Sequence, residues 1–212
     1  MGRGFGSAPF IGEPMHGRLR LITPPAMEPV SLAEAKLHAR IDHDLEDGLL
    51  ATFIAAARQH GEQLTGRQFV EAAYELSLDG FPCDDGPIEL PKPPLQAVEA
   101  VSFVAPDGIT QTMSATDYVV DTSGLLGRIY PADGAAWPAA RRRRNAVTIS
   151  FRTGWPVVTG NPSTPDAIKS WMLCRVTGLY EQRESFAGRS VSALPGDFLD
   201  GLLDPWRVAG VV

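Results

Sequence analysis

The chain has 212 residues, of which 44% are hydrophobic and 21% charged, a composition with too much apolar content and too balanced a charge for a disordered chain. The formal net charge is -6, which argues against a general nucleic-acid binder, and no stretch approaches the roughly 20 apolar residues that a membrane helix needs. Cys83 and Cys174 form neither a metal-ligand spacing nor a disulfide framework, so a reducing compartment is expected, and Met1 to Phe10 lacks the apolar core of a secretory signal.

Residues 1–28 are rich in Gly and Pro, sustain no period and read as an N-terminal arm in a turn or extended path. Ser31, Leu32 and Glu34 then spell a capping box, which starts a helix from Leu32 to about Arg40 with Ala33, Leu37 and Ile41 on its stripe. A second helix starts at Asp44, with Glu46 and Asp47 in its first turn, and runs from Leu45 to about Thr65. Its expected buried stripe is Leu45, Leu49, Phe53, Ala56, Ala57 and Leu64, with Gly66 as the left-handed stop. These two helices form an αα-hairpin or corner, and residues 29–69 make the first part of a helical core.

The period then changes to two. Tyr74, Leu76 and Leu78 alternate with polar residues, and Ile88 to Leu90 is a short strand stopped by prolines. Val98 to Val104 and Ile109 to Met113 flank a Pro106-Asp107-Gly108 turn. Tyr118 to Asp121 and Gly127 to Tyr130 make a second pair, and Val147, Ile149 and Phe151 close the series. Residues 70–153 therefore read as about six strands in an inserted antiparallel sandwich or barrel-like unit. Thr164 is expected to cap a further helix with Pro165 at its first position and Ile168, Trp171, Met172, Val176 and Leu179 on its buried stripe, ending near Glu184. A helical turn over Asp197 to Leu203 stops at Pro205, so 164–204 is the second part of the helical core and 205–212 an apolar tail. The fold class is α+β: a small helical core, with Leu49, Phe53, Ile168, Trp171, Met172 and Val176 buried together, into which a β unit is inserted.

The sequence carries no catalytic signature: Gly-x-Ser-x-Gly, Walker A and His-Glu-x-x-His are all missing, and no cofactor-binding motif occurs. The carboxylates Asp42, Asp44, Glu46 and Asp47 lack the glycine and glutamate of a calcium loop, so they read as a helix start rather than a metal site. The run Arg141, Arg142, Arg143 and Arg144 is the sharpest local feature. Adjacent arginines grip phosphates or acidic protein surfaces, while a solvated loop before a strand is the plainer reading. Only Trp137 lies close by, which gives little support to base stacking.

Read in order, a set of short motifs points to a family. Pro29-Val30-Ser31-Leu32-Ala33-Glu34-Ala35-Lys36 is followed by Arg40-Ile41-Asp42-His43-Asp44 and Asp47-Gly48-Leu49-Leu50. Ala55-Ala56-Ala57-Arg58, Leu64-Thr65-Gly66-Arg67, Leu76-Ser77-Leu78-Asp79-Gly80-Phe81-Pro82 and Leu90-Pro91-Lys92-Pro93-Pro94-Leu95 come next. Asp117 to Asp121, Gly127 to Pro131, Pro165 to Lys169 and Tyr180 to Glu184 complete the set. This order, over residues 27–185 and more weakly Leu202 to Arg207, resembles the head–tail connector (adaptor) proteins of long-tailed phages and gene transfer agents.

The resemblance implies a structural virion protein at the head–tail junction, assembled in the host cytoplasm and without enzymatic activity. It implies a homo-oligomeric ring, of twelve subunits in this family, between the portal protein and a stopper or tail protein, through whose channel DNA passes without specific binding. No cofactor and no membrane contact are expected. Within that frame Asp42, Asp44, Glu46 and Asp47 are candidates to face the channel, and Arg141 to Arg144 to contact an acidic surface of a neighbouring subunit or tail component. Trp206, Arg207, Val208, Val211 and Val212 are candidates to dock on the portal, with folding back onto the same subunit as the alternative. Two other classes compete: a β-module for protein or carbohydrate binding with helical decoration, and a DNA-binding packaging factor that uses the first helix pair.

Overall fold

A computed structural model describes residues 17–182 and 199–208. The chain opens with β1 (Arg18–Thr23), which adds to the edge of a sheet by pairing antiparallel with β2 (Ala72–Leu78). Residues 18–23 are thus strand rather than arm: Arg-Leu-Arg-Leu alternates, but a strand this short is fixed only by the partner it finds 55 residues later, where Arg20 also pairs with Glu75. From β2 the five-stranded antiparallel sheet continues through β8 (Val147–Thr153) and β4 (Leu95–Val104) to β5 (Thr110–Thr112), in the order β1-β2-β8-β4-β5. A second, three-stranded sheet has the order β3-β7-β6, with β3 at Ile88–Leu90, β6 at Tyr118–Asp121 and β7 at Gly127–Pro131. A two-stranded ribbon, β9 (Val157–Val158) with β10 (Asn161–Pro162), follows.

Between residues 70 and 153 there are seven strands, each overlapping a segment named from the alternation, and both sheets turn a face to one cluster. Leu76 and Leu78 of β2 and Val147, Ile149 and Phe151 of β8 supply one side, and Ile88, Leu90 and Ile129 the other. The strict alternation of β8, with Thr148, Ser150 and Arg152 between the buried residues, holds its register with β2 unbroken from Ala72↔Thr153 to Leu78↔Val147, because a one-residue slip would turn every apolar side chain outward. The β4–β5 turn falls at the expected Pro106-Asp107-Gly108, where Gly108 takes φ 92° and its N–H donates to Ala105 at 2.8 Å.

The helices are α1 (Leu32–Ala39), α2 (Asp47–Thr65) and α3 (Asp166–Glu181). The capping box is present: the Glu34 N–H donates to the Ser31 hydroxyl at 3.2 Å, and the Ser31 N–H donates to the Glu34 carboxylate at 2.7 Å. These bonds hold the Glu34 carboxyl below its ordinary value, the hydroxyl being the larger influence. A depressed carboxylate contributes stability above its unfolded value, and that contribution disappears as pH falls through the folded one. Ser31→Ala is therefore expected to cost about 1 kcal/mol at neutral pH. In acid melts the cost should shrink below the ordinary glutamate range; a cost unchanged at low pH would refute the linkage.

α2 begins at Asp47, later than the expected Leu45, because the Asp44 carboxylate is bound by Lys36 instead of capping the helix. Gly66 ends it in the left-handed conformation, φ 71°. Its buried face differs from the expected one. Leu50, Ile54, Ala57, Gly61, Glu62 and Thr65 point inward, while Leu49, Phe53 and Leu64 are half-buried, Ala56 is exposed, and Leu45 before the helix is 90% exposed. In α1 the buried residue is Ala35, and Leu37 is 82% exposed. The helical cluster combines Val30, Ala35, Leu50, Ile54, Ala57 and Phe69 with Ile168, Trp171, Met172 and Val176 of α3 and Leu203. Of the residues expected to be buried together, the four on α3 are, Phe53 packs from the side, and Leu50 and Ile54 stand where Leu49 was expected.

Gly61 sets how closely α2 and α3 approach: a Cβ there would stand 2.6 Å from the Phe69 ring and 3.0 Å from the Trp171 ring. Pro165, rather than Thr164, occupies the cap position of α3, and the Thr164 hydroxyl donates to the Phe69 carbonyl at 2.5 Å, tying the start of α3 to the end of the α2 segment. The last bond seen at the end of α3 runs from Gln182 N–H to Gly178, and the expected end near Glu184 lies outside the described residues, as does Asp197. Pro205 does not end helical structure but sits inside a 3-10 turn over Asp204–Trp206.

Candidate assembly interfaces

The joint between helices and sheet is polar and buried. Glu62 is 8% exposed. Its carboxylate accepts from Gln68 Nε2 at 2.8 Å, from the Phe69 N–H at 3.0 Å and from Arg58 at 2.9 Å. Arg58 also donates to Glu28 at 2.7 Å, and the Gln68 amide oxygen accepts from Tyr74 of β2 at 2.7 Å. Burial pushes the Glu62 carboxyl up against the pull of Arg58, and the Tyr74 hydroxyl is pushed up to about 12, also by burial. Backbone bonds complete the joint: Gln68 N–H to Pro93, Gly154 N–H to Pro94 and Glu71 N–H to Trp155. Sequence reasoning missed this network. Glu62 looks like any helix-surface glutamate, and its partners are set by how residues 67–74 fold back.

The acidic candidates gather at the corner between α1 and α2. Lys36 reaches across it to both Asp44 and Asp47, the latter at 2.8 Å, and holds the Asp44 carboxyl below the ordinary range. Glu46 accepts from the Tyr180 hydroxyl of α3 at 2.5 Å, so it braces the corner against the helical core. Asp42 is exposed. The corner also carries Leu37 and Leu45, the two most exposed large hydrophobics among the described residues, on a surface the subunit's own core leaves uncovered. Among the described residues no group of three or more His, Cys, Asp or Glu is placed to hold a metal ion, and no helix is long and apolar enough to cross a membrane.

The arginine run stands at the far end of the five-stranded sheet, before β8. All four side chains are exposed on a turn whose backbone is anchored: Arg141 N–H donates to Val104 and Asn145 N–H to the Asp79 carboxylate at 2.9 Å. Trp137 is turned away from it, 8% exposed, stacked on Phe81 at 4.9 Å and donating from Nε1 to Gly86.

Of the tail candidates, Trp206 and Val208 lie on their own subunit. The Val208 N–H donates to Thr65 at 2.9 Å, the Trp206 carbonyl accepts from Arg67 Nε at 2.5 Å, and the Trp206 ring meets Trp155 edge-on at 5.6 Å with the Arg67 guanidinium over both rings. Arg207 pairs with Asp204 at 3.1 Å. Val211 and Val212 lie outside the described residues.

Residues 29–123 match the sequence model of the family described as Phage gp6-like head-tail connector protein. No curated protein matches the chain. Among solved structures, a chain from the neck of an empty GTA particle computed with C6 symmetry has 22% identity and a TM-score of 0.75, covering 92% of this chain and 97% of that one. A chain from the neck of a native GTA particle computed with C12 symmetry has 21% identity and a TM-score of 0.72, covering 92% and 97%. A chain from the virion of a native gene transfer agent (GTA) particle has 20% identity and a TM-score of 0.71, covering 92% and 99%. The helix pair and the first strands are therefore similar in sequence to the Phage gp6-like head-tail connector proteins, and the chain as a whole has the fold seen in the chains of gene transfer agent necks.

Proposed function

We propose that this protein is a structural virion component, a head–tail connector that forms a ring adaptor in the neck between portal and tail and extends the DNA channel. The observation that carries the reading is the coincidence of two independent similarities. A connector family matches residues 29–123, and solved chains of particle necks share the fold over 92% of the chain. Support for a closed ring of twelve comes from the C12 symmetry of one such neck, and a C6 neck has the same fold. A closing ring uses two different surfaces of each subunit, and these need apolar area beyond the monomer core. Leu37 and Leu45 offer such area on the α1–α2 corner.

In this reading the carboxylates beside those leucines face the channel or its mouth. A polyanion passing an acidic wall releases no counterions and so is not held. Lys36 neutralises part of the corner by pairing with Asp44 and Asp47, while Asp42 stays exposed. Portal contact is assigned to the chain end at Val211 and Val212, since Trp206 and Val208 serve the subunit's own core. A stopper or tail protein takes the opposite side of the ring.

Electron microscopy of the purified full-length protein, alone and mixed with its portal, tests the proposal. Rings of twelve seated on the portal, with the α1–α2 corner lining the opening, are the expected result. A protein that stays monomeric in the presence of portal would remove the connector reading. Rings whose corner faces the outer wall would remove only the channel assignment.

A further inference from the structure

Among the described residues, five arginines outside the far end of the sheet are paired with carboxylates, while Arg40, Arg67 and Arg175 form no ion pair. Arg20 pairs with Glu75, Arg58 with Glu28 and Glu62, Arg128 with Glu89, Arg152 with Glu71 and Glu99, and Arg207 with Asp204. The far end of the five-stranded sheet departs from this. Arg141, Arg142, Arg143 and Arg144 stand there with Arg18 at the start of β1, and among the described residues none of the five forms an ion pair. The carboxylates next to them are already engaged by backbone. Asp79 accepts from Asn145 N–H and Asp107 from Ile109 N–H.

The turn is also pre-shaped. Val104 N–H donates to Ala146 and Arg141 N–H to Val104, both at 2.8 Å, Asn145 takes φ 52°, and Arg143 Nε donates to the Arg144 carbonyl at 3.3 Å. The Arg141 guanidinium lies across the β4–β5 turn, 2.6 Å from where a Cβ of Gly108 would stand, beside Ile109, which is 62% exposed. An anchored backbone spares the turn the cost of ordering its main chain on docking, and its unpaired guanidinium groups, one of them beside an exposed isoleucine, supply both charge and apolar contact.

We infer that this arginine tip is a docking surface for a carboxylate-rich surface of another protein. Two observations favour protein over nucleic acid. The tip presents an aliphatic side chain where a single-stranded nucleic-acid site presents aromatic platforms, and Trp137 is buried away from it. The arginines also sit on a short anchored turn rather than along a groove that could track a strand.

The α1–α2 corner of a second copy is not that carboxylate-rich surface. The chain's own acidic corner is at the start of α2, whose 19 residues extend about 28 Å from the joint with the sheet. The tip is at the opposite end of that sheet, so subunits standing side by side do not bring tip and corner together. The chemistry of the partner does not depend on the connector reading; its placement in a neck, above or below the ring, does.

The test uses the full-length protein and two labelled probes of defined chemistry, poly-L-glutamate and a mixed-sequence duplex DNA, read by fluorescence anisotropy from low to high salt. The expected result is binding of poly-L-glutamate that weakens as salt rises and falls about tenfold or more in a variant with all four of Arg141, Arg142, Arg143 and Arg144 changed to Ser. The thermal melt of the variant should match the wild type, because backbone groups anchor the turn. Ring formation in micrographs should also be unchanged, which separates this inference from the connector reading. Equal binding of poly-L-glutamate by variant and wild type, or no binding by either, would overturn it. So would duplex DNA bound more tightly than poly-L-glutamate through the same arginines, which would make the tip a nucleic-acid contact.

Discussion

Trp171→Ala is expected to lower the unfolding free energy by about 3–5 kcal/mol, the range for removing a large buried aromatic side chain. Trp171 is 0% exposed and lies in the centre of the helical cluster. It meets the α2 backbone where Gly61 has no Cβ, and His60 approaches its ring at 5.8 Å. The site has little means of collapse, because α2 and α3 are held apart by Phe69, Met172 and Ile168 as well. The indole Nε1 also donates to Asp200 at 2.9 Å, so truncation releases the segment around Leu203 from the core. Trp171→Phe keeps most of the volume and loses that bond, and should cost less than half as much. Urea melts of the three proteins measure this. A Trp171→Ala loss below about 1 kcal/mol would mean that the two halves of the helical cluster do not depend on each other.

Glu62→Ala should cost about 3 kcal/mol or more, although the residue is a glutamate in a helix and alanine is the better helix former. The change leaves the Gln68 amide and the Phe69 N–H without their acceptor inside the joint, and leaves Arg58 with Glu28 alone. Glu62→Gln keeps an oxygen for the Phe69 N–H but gives up the ion pair, so its loss should be smaller. The pH dependence carries a sign. Burial raises the Glu62 carboxyl above its unfolded value. The folded state therefore takes up the proton first as pH falls, and the stability this group contributes is greatest below the unfolded value and declines as pH rises through the folded one. The advantage of wild type over Glu62→Gln should grow on acidification from pH 7 toward about 5. An advantage that shrinks over that interval would show that the pairing with Arg58 outweighs burial.

What the sequence made legible was local. The Ser31–Glu34 box, the Gly66 stop, the Gly108 turn and the alternation of β8 each depend on residues within a few positions of one another, and each stands in the structure. What it hid was settled by distant partners. In α2 two apolar stripes compete. The one with Leu45, Leu49 and Phe53 has the larger side chains, yet the other is buried because Gly61 lets Trp171 and Phe69 close and because Glu62 finds three partners inside. A pattern search gives a glycine and a glutamate no weight as core residues, so it rotates the helix. Thr164 misled in the same way: it has a sound local reading as a cap, and it bonds instead to a segment more than 90 residues away. Trp206 bonds to Arg67 of its own subunit, in line with the fold-back alternative to portal docking.

The assembly surfaces were legible only as residues, not as places. The carboxylates of the α1–α2 corner were visible, but Lys36 spanning two of them was not. The arginine run was visible, but only the sheet shows that its neighbouring aspartates are already engaged and that Arg18 joins it.

The joint has a consequence for how the helical cluster comes together at all. Its halves are separated by the whole β unit, and bringing the ends of so long a flexible segment together costs loop-closure entropy that grows as about (3/2)RT ln n. Pairing of β2 with β8 sets Ala72 opposite Thr153, and the Glu71 N–H meets the Trp155 carbonyl at 3.1 Å. Once that ladder has formed, the chain on either side of the insert behaves as a short loop, and the end of α2 and the start of α3 are already neighbours. The sheet is thus a clasp as well as a surface. Strands and loops beyond the Ala72–Thr153 pair can lengthen, shorten or change their chemistry at the tip, while the distance the helices see stays the same.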